Sequence, residues 1–139
     1  MSRTDRFTQT DIKNQYYSDF LTNLNRHPVS QDIVRFTNEQ AVIRSIKNLL
    51  NTNKGERFYQ PKVGTDLNKL LFENSGIGLE NEIVNSIRDT IEKHEPRAKL
   101  LDAQVIGDPD YNRYTIGLTI LLVNQNNPVT FSVTLQRVR

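Results

Sequence analysis

The stretch "LENEIVNSIRDTIEKHEPRAKLLDAQV", Leu79 to Val105, decides the fold because its hydrophobic period changes partway along. Ile83, Val84, Ile87 and Ile91 recur at the spacing of one helix face. Glu80 and Glu82 stand near the positive end of that helix, while Lys93 and His94 lie near its negative end, so both sets of charges oppose the helix dipole. Pro96 then forces Glu95 out of helical geometry and stops the helix. After Arg97 the period becomes two: Leu101, Ala103 and Val105 alternate with Asp102 and Gln104, the pattern of a strand with one buried face.

The alternation continues downstream. "GDPDYN" reads as a turn, and Tyr114, Ile116, Leu118, Ile120 and Leu122 share one face of a long strand. "NQNNP" makes the next turn, and Val129, Phe131, Val133 and Leu135 alternate with Thr130, Ser132, Thr134 and Gln136. Such short connections predict an antiparallel meander. Upstream, Val42, Ile43, Ile46, Leu49 and Leu50 define another helix. Thr37 or Asn38 is its expected cap, and Gly55 is expected to close it with a positive φ. "PKVGTDLNKLLFE" predicts a loop and a short helix capped by Thr65 or Asp66, with Leu67, Leu70, Leu71 and Phe72 inward. "HPVSQ" punctuates a short hairpin over Asp19 to Thr37, and residues 1–16 form a polar arm ahead of a domain at 17–139. The expected class is α+β: a single domain with an N-terminal short β-hairpin and three helices packed on a C-terminal three-stranded antiparallel meander.

Composition excludes several function classes. A chain of 139 residues, 36% hydrophobic and 24% charged, is expected to be an ordinary soluble domain. Its formal charge of +2 is small and its basic residues are scattered, so no nucleic-acid partner is expected. The longest apolar stretch falls far short of the ~20 residues a membrane helix needs. Cysteine is absent, which removes thiolate nucleophiles and thiolate metal sites. His27 and His94 belong to no metal-binding spacing, and "GIG" at Gly76 to Gly78 lacks the residues of a phosphate cradle. No spacing among Glu56, Asp66, Glu73, Glu92 and Glu95 selects the carboxylate pair that glycoside cleavage needs. No catalytic residue, cofactor, metal or small-molecule substrate is therefore expected.

Two stretches stand out as candidate interaction sites. Glu95, Pro96 and Arg97 fix an acid and a base in rigid geometry, and the neighbouring cation would keep Glu95 ionised. Arg97 can lock either its own fold or an acidic group of a partner. In "NKGERFYQPKVG", Gly55, Glu56, Arg57 and Gly64 belong to a shaped loop. An Arg beside aromatic residues can dock a partner, but composition favours Phe58 and Tyr59 folding inward with Arg57 capping nearby carbonyls. The last strand ends in "TLQRVR". If it lies at a sheet edge it can accept a strand from another chain, unless Arg137 and Arg139 blunt it.

"HPVSQDIVRFTNEQAVIRSIKNLLNTNKGERFYQPKVGTDLNKLLFE" followed by "HEPRAKLLDAQV" resembles the small baseplate wedge proteins of contractile-tailed phages, the gene product 25-like family, which has type VI secretion baseplate relatives. The resemblance runs from about Tyr17 to Arg139 and rests on the order of its elements. These are the His-Pro turn, "NLLNT", "GER", the Pro before "VG", "LLFE" and Glu-Pro-Arg. It implies a non-enzymatic virion protein of the inner tail baseplate, assembled in the host cytoplasm, despite a lysozyme label that the family carries. Implied partners are other wedge proteins, with Glu95, Pro96 and Arg97 at the baseplate core. The tail sheath would bind by β-strand addition at a sheet edge, and tail tube or hub proteins are further candidates. A type VI secretion baseplate subunit, or a regulatory module of the anti-adaptor kind on the same fold, is the alternative.

Overall fold

The switch of period at Pro96 sets a helix directly against the strands that follow it. The computed structural model describes residues 17–20, 25–72, 78–108 and 113–136, and of Leu71 and Phe72 only the backbone. The elements run β1 (Ser18–Phe20), β2 (Arg35–Thr37), α1 (Glu39–Asn51), α2 (Leu67–Phe72), α3 (Leu79–His94), β3 (Ala98–Asp108), β4 (Arg113–Leu122) and β5 (Pro128–Gln136). Strands β3, β4 and β5 form the expected antiparallel meander with β4 in the centre, and β1 and β2 pair as a separate antiparallel ribbon. The expected arm at 1–16, residues 109–112 of the "GDPDYN" turn, and Arg137 and Arg139 lie outside the described residues.

The core forms where three apolar faces meet. Val42, Ile46 and Leu50 of α1, Ile83, Ile87 and Ile91 of α3, and Ile116, Leu118, Ile120 and Leu122 of β4 are almost wholly buried, with Leu67 of α2 and Val133 and Leu135 of β5 closing the cluster. Each such side chain contributes on the order of 1.5–3 kcal/mol by leaving water. The opposite face of β5 carries exposed Thr130, Ser132, Thr134 and Gln136. The described helices therefore cover one side of the sheet. Among the described residues no helix is long and apolar enough to cross a membrane.

Three local expectations need correction. Leu100 pairs with Ile120 but Asp102 pairs with Thr119, so Leu101 is the extra residue of a β-bulge. Leu101 is therefore half exposed and Leu100 takes its place facing the core with Ala98, while Ala103 and Val105 face inward as expected. Asn38 does precede α1, at φ 51°, but its side chain makes no cap: its Oδ1 accepts from the Tyr17 N–H at 3.4 Å. Its own N–H donates to the Tyr17 carbonyl at 2.7 Å, which ties the start of β1 to the start of α1. Gly55 has the expected positive φ (87°), yet α1 ends at Asn51 with Thr52 extended, so Gly55 turns the following loop rather than closing the helix.

Candidate functional site

The Glu95–Arg97 turn is stitched into five parts of the chain. Glu95 leaves α3 with its N–H still donating to the Ile91 carbonyl at 2.8 Å, and Pro96 fixes the bend into β3. The Glu95 side chain is 3% exposed and accepts at both oxygens. Arg97 Nε donates to Oε1 at 2.5 Å and Arg97 Nη2 to Oε2 at 2.8 Å, while Ser45 of α1 donates its Oγ–H to Oε2 at 2.6 Å. The guanidinium also stands 5.4 Å from the centre of the Tyr17 ring, whose hydroxyl accepts from Asn124 Nδ2 at 2.9 Å. Backbone bonds complete the joint: Ala98 N–H to the Glu95 carbonyl, and Val123 N–H to the Arg97 carbonyl. One carboxylate thus links α1, the end of α3, the start of β3 and, through Arg97 and Tyr17, the N-terminal ribbon and the end of β4.

The charge state follows from these contacts. Burial pushes the Glu95 carboxyl up, but hydrogen bonds from Arg97 and Ser45 outweigh it and hold the group below its ordinary 4.5. The same pairing pushes the Arg97 guanidinium further up, through its hydrogen bond to Glu95. Glu95 is therefore an ionised anchor, as the sequence suggested.

The second stretch, Asn53 to Thr65, is a loop with a closed base. Its ends form an isolated parallel bridge, and the Thr65 N–H donates to the Thr52 carbonyl at 2.8 Å. Gly55 N–H donates to the Pro61 carbonyl at 2.8 Å, drawing the middle of the loop into a narrow turn. Glu56 Oε2 accepts from the Asn53 N–H at 2.9 Å, so this acid shapes the loop. At Gly64, φ is +130° and an added Cβ would lie 2.6 Å from the Thr52 carbonyl oxygen, which only glycine accommodates. Asp66 pairs with Lys54 across the base and with Lys69 at 3.3 Å. These partners, the Lys54 hydrogen bond foremost, lower its carboxyl below the usual value. Phe58 and Tyr59, expected inside, are 99% and 100% exposed. The closed base explains the correction: backbone and side-chain bonds at the base hold the loop, so the rings at its tip need not be buried.

The two candidate stretches share a groove. Arg57, Gln60 and Val63 of the loop line a cleft of about 450 Å³ together with Lys93, His94 and Glu95, with Ser45, Asn48 and Leu49 of α1, and with Asp19. Arg57 and the Glu95 turn are thus brought together; Gly55, Glu56 and Gly64 shape the loop that carries Arg57. Ser45, Tyr17 and Asn124 were not legible as site residues. The Ser45 partner is 50 positions away and the Asn124–Tyr17 contact spans 107. Among the described residues no group of three or more His, Asp or Glu side chains could hold a metal ion.

A helix-covered meander of this kind defines a class that includes chains of tail baseplates. The fold matches a chain of the anti-feeding prophage baseplate with a TM-score of 0.68 and 27% identity, over 80% of this chain and 89% of that one. It also matches a Geobacter sulfurreducens protein proposed as a tail lysozyme, with a TM-score of 0.67 over 73% and 92% of the two chains; at 20% identity this likeness is one of fold. The particular family follows from sequence. Residues 37–127 match the family described as baseplate wedge protein gp25, and the chain belongs to that family. It is 29% identical to baseplate wedge protein gp25 of Enterobacteria phage T4 over 115 residues, covering 83% of this chain and 85% of the relative. This membership makes the chain a structural component of a tail baseplate.

Proposed function

We propose that this chain joins its baseplate wedge neighbours through the groove between the Asn53–Thr65 loop and the Glu95–Arg97 turn, and receives the tail sheath by strand addition along a sheet edge. The observation that carries the reading is the groove lined by Arg57, with the exposed pair Phe58 and Tyr59 next to Arg57 in the loop. Arg57 offers a planar donor fork to a partner carboxylate, and Phe58 and Tyr59 beside it supply the aromatic area typical of interface hot spots. Glu95 supports the joint from within, because its ionised carboxylate fixes the wall of the groove. Among the described residues strand β5 has a neighbour on one side only, so its other side offers backbone groups to an added strand.

Chemistry on a substrate forms no part of this reading. Glu95 and Asp66 are both held ionised, whereas the general acid of a glycosidase needs a carboxyl raised enough to stay protonated.

The test is co-expression of the full chain with the neighbouring baseplate proteins and the sheath protein, followed by electron microscopy. The expected result is a wedge complex that seeds a ring or sheath stub only when this chain is present. Arg57→Ala combined with Tyr59→Ser should leave the chain folded and weaken its capture by wedge proteins. A folded wild-type chain that associates with neither partner overturns the assembly reading, and lysis of purified peptidoglycan by that chain would restore a hydrolase.

A further inference from the structure

A separate face of α1 carries two cations that no carboxylate of the described residues balances. Arg44 lays its guanidinium over the Phe36 ring, 4.5 Å from the centroid, and Lys47 points its ammonium at the Phe131 ring of β5, 5.7 Å away. Among the described residues neither cation has a carboxylate partner, and Arg44 Nη1 is out of contact with solvent and lacks any acceptor. A charged donor in that condition is costly to a fold. Phe36, Gln40, Ile43, Arg44 and Lys47 line a shallow groove of about 270 Å³ at this place. Glu39, on the same helix, lines a different depression beside Asn126 and Thr130.

We infer that this groove docks an acidic segment of a partner protein, with one carboxylate set on Lys47 and the solvent-accessible part of the half-buried Arg44 and an apolar neighbour set on Phe36 and Ile43. The two cations lie on one helix face, three positions apart, so a single carboxylate can serve both. The aromatic rings already hold them in place, which lowers the ordering cost of binding. The chemistry favours protein over nucleic acid. A phosphate backbone is tracked by a row of cations, whereas this groove holds two between apolar walls. The site lies on another face of α1 from Ser45 and the Glu95 groove, so its failure and that of the proposed wedge interface are separable.

The experiment titrates the full chain with a fluorescein-labelled peptide alternating Glu with Leu and Phe, read by anisotropy at low and high salt. The same peptide with Gln for Glu and a single-stranded oligonucleotide are run beside it. Binding of the acidic peptide should be saturable and salt-sensitive, and about tenfold weaker for Arg44→Met, which keeps the packing over Phe36 but removes the charge. Lys47→Gln should weaken binding less, and Arg88→Gln on exposed α3 not at all. The inference is overturned if the acidic peptide does not bind, if the Gln peptide binds equally well, if Arg44→Met and Lys47→Gln bind like wild type, or if the oligonucleotide alone is held by Arg44.

Discussion

The Glu95–Arg97 turn and the Asn53–Thr65 loop line one groove, yet they are held in opposite ways. The turn closes on a buried carboxylate that accepts from Arg97 beside it and from the distant Ser45, while Tyr17 lies under the Arg97 guanidinium. The loop closes on its own backbone, with Gly64 against Thr52 and Gly55 bonded to Pro61, and no apolar side chain anchors its tip. The turn uses its charge to hold the molecule together. The loop leaves Phe58 and Tyr59 in water. The charged motif is the internal clamp that its sequence allowed, whereas the aromatic pair lies outside, against the expectation from composition.

The largest effect that separates the two regions should come from Arg97→Ala. It strands the 3%-exposed Glu95 carboxylate without its main partner and should cost about 3 kcal/mol, read as a lower urea midpoint at unchanged m-value. A loss under about 0.5 kcal/mol would show that the turn is no clamp. Gly64→Ala should cost less, about 2 kcal/mol, because it adds both left-handed strain and overlap with the Thr52 carbonyl. Its damage should be local: hydrogen exchange at Lys54 and Thr65 quickens while α3 amides keep their protection. Equal loosening in α3 would mean that loop and turn form one cooperative unit.

Acid sharpens the comparison further. The Glu95 carboxyl is lowered in the folded chain, so the stability it contributes is present above about pH 4.5 and is lost as pH falls through the folded value. Glu95→Gln should remove that part of the acid-side slope, whatever it does at neutral pH; identical slopes would assign the acid sensitivity elsewhere. The smallest effect belongs to the loop tip. Phe58→Ser with Tyr59→Ser should change stability by no more than about 0.5 kcal/mol, since both rings are solvent-exposed. A larger loss would place the rings in contacts that the static structure lacks.

Much of the fold was legible because it rests on local periodicity. The stripe Ile83, Ile87, Ile91 and the alternation through Ile116, Leu118, Ile120 and Leu122 each report a single buried face, and both faces are in the core. Leu101 misled because a bulge shifts alternation by one residue and leaves no mark in composition. Gly55 misled because a positive φ serves a loop as well as a helix end. The clamp was half legible: Glu95 and Arg97 are neighbours, whereas Ser45 and Tyr17 reach them only through tertiary packing. Phe58 and Tyr59 were misread since exposure depends on how the base of the loop is closed, and that is written in hydrogen bonds between Thr52 and Thr65.

The bulge at Leu101 has a bearing on how the sheet can grow. It sits on β3, between Lys99 and Asp102, and breaks the even spacing of that edge with charges on either side. Strand β5, at the opposite margin, pairs with β4 through an unbroken register from Pro128 to Gln136. The two margins therefore differ in kind: a further strand could pair residue for residue along the even one, and the interrupted one resists such pairing.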